Sequence, residues 1–279
     1  MTKIKYLCTY WGCENLSAKE FLKYVVDNGY QGVEINFPNE EHFVQEFLLE
    51  LKSIRENIES EFIFIAQQVL DNKTESVDDY IKRMTSRLEF LVSLKPNAIN
   101  SHTGKDFFDF SENCKVLNVT EQISKESGIP IWHEIHRGRF SFHLKTLLQY
   151  TEVFPNLKLI ADFSHFCTVS ESLLDDQKHF LNKIYSNSVH IHARVGASQS
   201  PQVNNPFAPE WEENLNRFFS WWQDIIDVQK KKNNEYITIT PEFGPFPYMP
   251  QEPFSKKPLA DQLKINLEMK SYLQQKLIL

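Results

Sequence analysis

The chemistry in this chain is concentrated at a few places where an apolar run ends in ionisable side chains. IPIWHEIHRGR, Ile129 to Arg139, begins like a buried strand and ends in His133, Glu134, His136, Arg137 and Arg139. Because a strand alternates faces, Trp132, Glu134 and His136 share one side. A carboxylate on the core side needs a partner, since an isolated buried charge is very costly. IADFSHF (160–166), VHIHARVG (189–196) and TPEFGP (240–245) repeat the pattern and contribute Asp162, His165, His190, His192, Arg194 and Glu242. In chain order the four runs supply carboxylate, carboxylate, imidazole and carboxylate. Oxygen-rich ligation with one imidazole suits Mn²⁺, Mg²⁺, Co²⁺ or Zn²⁺ and disfavours a soft, cysteine-type centre.

Each residue also has a plainer reading. Glu134 alone reads equally well as a structural carboxylate bonded to Arg137 or Arg194. Asp162 would finish its strand pointing inward, with His165 entering from the following loop, yet an Asp there also caps turns. A lone inward histidine is more often a hydrogen-bonded core residue. His190 and His192, two apart on one strand face, shift that balance toward function. Glu242 alone is a loop carboxylate. Trp11 and Glu34, with His102 and Lys105 at the close of NAINSHTG, lie at the same strand ends. Arg137, Arg139, Arg194 and Lys105 are suited to holding a phosphate or carboxylate. Trp11 is better explained by packing, although an aromatic wall also suits a sugar's C–H face.

The elements that must position these groups alternate. Apolar strand-like runs at 4–11, 32–37, 62–69, 97–104, 129–134, 157–163, 188–195 and 235–243 alternate with helical patterns. The helices are expected at about 18–28, 40–58, 76–94, 112–126, 142–153, from a Ser170 cap to 184, at 217–232 and at 261–277. In 76–94, Tyr80, Met84, Leu88 and Leu91 fall on one helical face. Eight strand–helix units without a composition break predict an α/β fold, a single-domain (β/α)8 TIM barrel over residues 1–279. In such barrels the site lies where strands end, and every cluster above lies there. An open doubly wound sheet is the alternative, but neither GxGxxG nor GxxxxGK[ST] is present.

Composition narrows the classes further. The 279 residues carry 30 Lys+Arg against 37 Asp+Glu, a formal net charge of −7. That disfavours a protein built to grip nucleic acid through a broad basic face. The start of the sequence lacks an apolar signal region, and no run is long enough to span a bilayer, so no membrane partner is expected. Cys8, Cys13, Cys114 and Cys167 form no CxxC pair and read as reduced thiols of a cytoplasmic chain. The aromatic run FFSWW (218–222) reads as helix packing or a subunit contact and leaves a homodimer open.

With Glu134, the D-x-x-H of Asp162 and His165, the H-x-H of His190 and His192, and Glu242 in place, the sequence resembles the xylose isomerase-like TIM-barrel superfamily of sugar isomerases and epimerases over nearly its whole length. The resemblance implies one divalent ion, Mn²⁺ first, with Mg²⁺, Co²⁺ or Zn²⁺ as alternatives. Its implied ligands are Glu134, Asp162, His192 and Glu242, with His190 as the fallback for His192. It implies that Glu134 and Glu242 flank the reacting carbons as catalytic groups and that His165 contacts substrate. His136, His102, Lys105, Arg137, Arg194 and Trp11 complete the expected substrate-binding set. Free-ketose epimerases carry an Arg several residues after the strand-seven His, whereas Arg194 follows His192 by two. The expected activity is isomerisation or epimerisation of a small polyhydroxylated substrate, a sugar, sugar phosphate or related polyol, through an enediolate. The alternatives are a metal-dependent dehydratase or lyase on the same scaffold and a non-catalytic ligand-binding barrel. Apurinic endonucleases share the fold but draw histidine ligands from early strands. Strands one to three here contain none, so nucleic acid is not an expected partner.

Overall fold

Leu7 interrupts the first apolar run, and the two pieces pair with different neighbours. The computed structural model describes residues 2–279. The strands are β1 (Lys3–Tyr6), β2 (Cys8–Thr9), β3 (Gly32–Ile35), β4 (Ile63–Gln68), β5 (Ala98–Ser101), β6 (Ile131–Glu134), β7 (Leu159–Ala161), β8 (Ser188–Ala193) and β9 (Tyr236–Pro241). The helices are α1 (Ala18–Asp27), α2 (Glu41–Asn57), α3 (Val77–Ser93), α4 (Phe110–Ser127), α5 (Leu144–Val153), α6 (Phe163–Ser170), α7 (Lys178–Ile184), α8 (Glu212–Lys231) and α9 (Gln262–Lys276). The strands form one parallel sheet in the order β1-β9-β8-β7-β6-β5-β4-β3-β2. Both ends of that order come from the same opening run, and the nine strands make the nearly closed barrel of a (β/α)8 fold.

By contact density the chain falls into two compact units. One holds Leu7–Glu134 with Gly138–Ser141; the other holds the chain up to Tyr6, Ile135–Arg137 and Phe142–Leu279. In the first, β2 to β6 pair in sequence, with Val33 opposite Phe64, Ile65 opposite Ala98 and Ser101 opposite His133. Alternation divides the side chains. Ile63 and Ile65 pack with Leu7 and Trp132, whereas Phe64 on the opposite face meets Phe37 and Phe47 beneath the helices. One step further along the first face come Gln67 and Glu134, so the pleat that buries the apolar layer also sets the polar strand ends above it. In the second unit β1 pairs β9, which pairs β8, with Lys3 opposite Tyr236 and His192 opposite Thr240.

Helix starts follow local chemistry. Ser17 and Glu20 form a capping box for α1, and Ser76 accepts the Asp79 N–H at the start of α3. Gly128, at φ 71°, ends α4 in the left-handed conformation that a Cβ would strain. Two expected boundaries are corrected. Ser170 does not cap a helix: α6 starts directly after β7, capped by Asp162, and Ser170 is its last residue. Glu171 and Leu174 then take positive φ, and a 3-10 turn (Asp175–Gln177) leads into α7. α8 begins at Glu212 rather than 217, with Glu212 and Glu213 at its positive N-terminal end. Its Phe218, Trp221 and Trp222 are buried, Trp221 edge-on to Phe163, so the aromatic run packs inward. Among the described residues no helix is long and apolar enough to cross a membrane.

Candidate functional site

In the second unit, Asp162, His192 and Glu242 converge. Asp162 follows β7 directly, His192 lies on β8, and Glu242 follows β9 directly. Each offers a donor atom within 4.8 Å of the others, and all three are buried. Glu242 Oε2 lies 2.9 Å from His192 Nδ1. Asp162 does both things its sequence suggested: one carboxylate oxygen caps α6 by accepting the Ser164 N–H at 3.1 Å, while the other pairs with Arg194. Capping thus fixes the carboxylate's direction. The expectation that His165 enters from a loop is corrected, because α6 nucleates on Asp162 and places His165 in its first turn, fully buried. His165 Nε2 is 3.6 Å from Asp162 Oδ2.

Arg194 holds this cluster together. It is 2% exposed, bonds Asp162, and brings Nη1 to 3.4 Å from Glu242 Oε2. Its guanidinium carbon lies 4.8 Å from the Tyr248 ring centroid, and that of Arg137 lies 5.3 Å from it. Arg194 therefore lies on the carboxylates of the cluster. His136 packs against His165, the rings tilted by 46° with centroids 3.9 Å apart, and has Nε2 3.4 Å from the Tyr248 hydroxyl. His190 is hydrogen-bonded by threonines of β9, Nδ1 to Thr238 Oγ1 at 2.6 Å and Nε2 to Thr240 Oγ1 at 3.1 Å. Both ring nitrogens of His190 thus meet threonine hydroxyls, whereas His192 Nδ1 faces Glu242.

In the first unit, Glu134 ends β6 and is 2% exposed. Its Oε2 accepts from Asn100 Nδ2 at 2.7 Å and lies 2.8 Å from His102 Nε2. The Asn100 amide also donates to Glu34 Oε1 at 2.8 Å, and Gln67 donates to the same oxygen at 3.2 Å. One asparagine thus bridges two buried carboxylates. Lys105 is buried in the turn after β5, its Nζ donating to Asn72 Oδ1 at 2.9 Å. Trp11 is half-buried in the turn after β2. His133, on the opposite face from Glu134, bonds Thr103 Oγ1 at 2.7 Å, and burial pushes its pKa down to about 3.

Four neighbours of these clusters gave no sequence signal of their own: Asn100, Tyr248, Gln202 and Asn266. The last two clamp the segment after Glu242. Asn266 accepts the Phe243 N–H at 2.7 Å and donates to its carbonyl at 3.0 Å. Gln202 does the same for Gly244, at 2.8 and 3.0 Å. A buried cluster of two carboxylates and one imidazole is the donor set of a hard or borderline divalent ion, and these residues fit one.

No protein-family model and no curated protein matches the sequence. Solved structures do. A D-tagatose 3-epimerase-like protein superposes with a TM-score of 0.65 over 97% of both chains at 15% identity. The probable 3-DHS dehydratase AsbF of Bacillus anthracis, involved in petrobactin synthesis, gives 0.61 over 98% of this chain and 99% of its own at 16% identity. A xylose isomerase-like TIM-barrel protein from Mycobacterium smegmatis in complex with magnesium gives 0.63 over 97% and 95% at 9% identity. Strand order and superposition over almost the whole chain agree: this protein has the (β/α)8 TIM-barrel fold of these structures.

Proposed function

We propose that this chain is a divalent-metal-dependent isomerase or epimerase of a small polyhydroxylated substrate. The observation that carries the proposal is the convergence of Asp162, His192 and Glu242 into one buried cluster at the ends of successive strands. Glu134, at the end of β6, is the proposed fourth ligand. Magnesium in one structural neighbour supports a divalent ion in general, and Mn²⁺ is our choice for this donor set. When bound, the ion supplies positive charge that stabilises negative charge developing on substrate oxygens.

The protein's own groups divide the remaining work. Glu134 and Glu242 act as the acid–base pair, His165 holds a substrate oxygen, and His102, His136, Lys105, Arg137 and Trp11 line the substrate's surroundings. Arg194 balances the charge of the Asp162 and Glu242 carboxylates, which lie side by side in a buried cluster. A dehydratase is the second proposal, favoured by the dehydratase among the neighbours; it would use the same proton abstraction and then expel water. Four cysteines in the thiol form, three of them buried, support a cytoplasmic setting. The test is metal content. Wild-type protein equilibrated with Mn²⁺ and desalted should retain about one ion per chain by elemental analysis. Glu134→Gln and His192→Ala should each lose it while their circular dichroism stays native. Full occupancy in both variants would end the assignment.

A further inference from the structure

Among the described residues, two buried cations of the first unit have no ion-pair partner. Arg139, in the turn after β6, is 7% exposed, and its Nε and Nη1 meet no hydrogen-bond acceptor. Lys105 is 3% exposed and has only Asn72 Oδ1 and, at 5.7 Å from Nζ, the Tyr80 ring centroid. Among the described residues neither forms an ion pair. They sense each other: the Lys105 amine is held below its ordinary value by burial first and by the Arg139 charge second. Glu75 and Asp106 act on Lys105 in the opposite sense but do not outweigh burial and Arg139. Glu75 is taken up by Arg83 at 2.6 Å, and Asp106 is exposed. Burying one unpaired charge is costly, and a second like charge beside it adds to the cost.

The backbone holds this arrangement in place. The Phe140 N–H donates to the Thr103 carbonyl at 3.3 Å, tying the Arg139 turn to the Lys105 turn. Asn113 accepts the Lys105 N–H at 3.2 Å and donates to the Lys105 carbonyl at 2.9 Å. Gly104 takes φ +65°, and a Cβ there would lie 2.2 Å from Asn113 Oδ1. The turn is therefore specified in detail while its two charges are left unneutralised. We propose that Lys105 and Arg139 form a binding site for an oxyanion, the phosphate or carboxylate group of the substrate. The planar Arg fork and the Lys point charge complement such a group. The inference rests on the proposed function in one respect, that this strand-end face receives substrate. His102, three residues before Lys105, contacts Glu134, and its carbonyl accepts from the hydroxyl of the same Tyr80 at 3.2 Å. A neutral sugar would leave both cations unpaired, so the substrate is a sugar phosphate or a sugar acid.

Thermal unfolding at constant ionic strength tests this, with inorganic phosphate, D-gluconate or chloride added to wild type, Arg139→Met, Lys105→Met and Arg139→Lys. Phosphate or gluconate should raise the wild-type midpoint saturably, chloride should not, and both Met variants should lose the response by about tenfold in affinity or more. In chloride, Arg139→Met should melt at or above wild type, because an uncompensated buried charge has been removed. Arg139→Lys should keep part of the response. A response to gluconate alone identifies a carboxylate, and one to phosphate alone a phosphate. No saturable shift with either anion, or an equal shift in the Met variants, overturns the site. Mn²⁺ calorimetry on the same proteins separates the two proposals: lost metal binding with an intact anion response removes the metal assignment and leaves this one standing.

Discussion

Arg194 stands between two acidic groups of the buried cluster. Its guanidinium pairs with Asp162 and lies 3.4 Å from Glu242, two of the proposed metal ligands. A divalent ion seeking those oxygens meets an internal competitor of the same sign. Removing one partner of a buried pair typically costs about 3–5 kcal/mol because the other charge is left uncompensated. Arg194→Met should therefore lower the melting temperature in chelator-treated protein, and Mn²⁺ should restore more stability to it than to wild type. Calorimetry should show Mn²⁺ affinity raised about tenfold or more; weaker Mn²⁺ binding would instead mean that Arg194 orients the ligands. His133 gives a second expectation. Its folded pKa is about 3, depressed by burial, against about 6.5 for a free imidazole. Below pH 6.5 the unfolded chain takes up a proton that the folded chain refuses until about pH 3. Stability therefore falls as pH drops through that window, by up to about 1.4 kcal/mol per unit, and is unaffected above it. His133→Gln should flatten the pH dependence of urea stability between pH 6.5 and 3, and an unchanged slope would count against a neutral buried His133.

At the level of elements, strand ends were legible and what braces them was not. The period-2 pattern placed Trp132 and Glu134 on one face, and the fold agrees, because a half-buried pleat has only two choices. α6 was missed because an Asp after a strand reads equally as an inward carboxylate and as a cap; here it is both. Asn100, Gln202 and Asn266 were invisible for a different reason. An amide whose partner lies more than twenty residues away leaves no local periodicity. Their importance is testable at Asn266, whose side chain holds both backbone polar groups of Phe243, next to Glu242. Asn266→Leu leaves a buried N–H and C=O unsatisfied, at roughly 1–3 kcal/mol for each. It should lower thermal stability, reduce Mn²⁺ affinity and leave the far-UV spectrum unchanged. Stability loss with unaltered metal affinity would make the clamp purely structural.

Across the whole molecule, alternation of eight apolar runs with helices was enough to predict the barrel, since parallel strands joined by right-handed helical crossovers leave few other arrangements. The split of the first strand at Leu7 was not foreseen, because the run from Ile4 to Trp11 is continuous in sequence; only pairing of β1 with β9 and β2 with β3 divides it. The net charge of −7 sets an overall field that repels polyanions, while Lys105 and Arg139 form a local positive pair suited to a small anion. A small anionic polyol whose carbon acid is deprotonated beside a cation is the chemistry these features jointly select, and it carries an isotopic consequence. If Glu134 and Glu242 exchange protons with substrate carbon, turnover in D₂O should place deuterium on the carbon next to the carbonyl. Glu242→Gln should abolish both turnover and exchange, whereas Lys105→Met should mainly raise KM, because it removes binding remote from the reacting carbon. Turnover without deuterium would indicate a hydride shift or a shielded proton transfer. A product short of one water would establish the dehydratase, and unchanged turnover in Glu242→Gln would remove that glutamate from the mechanism.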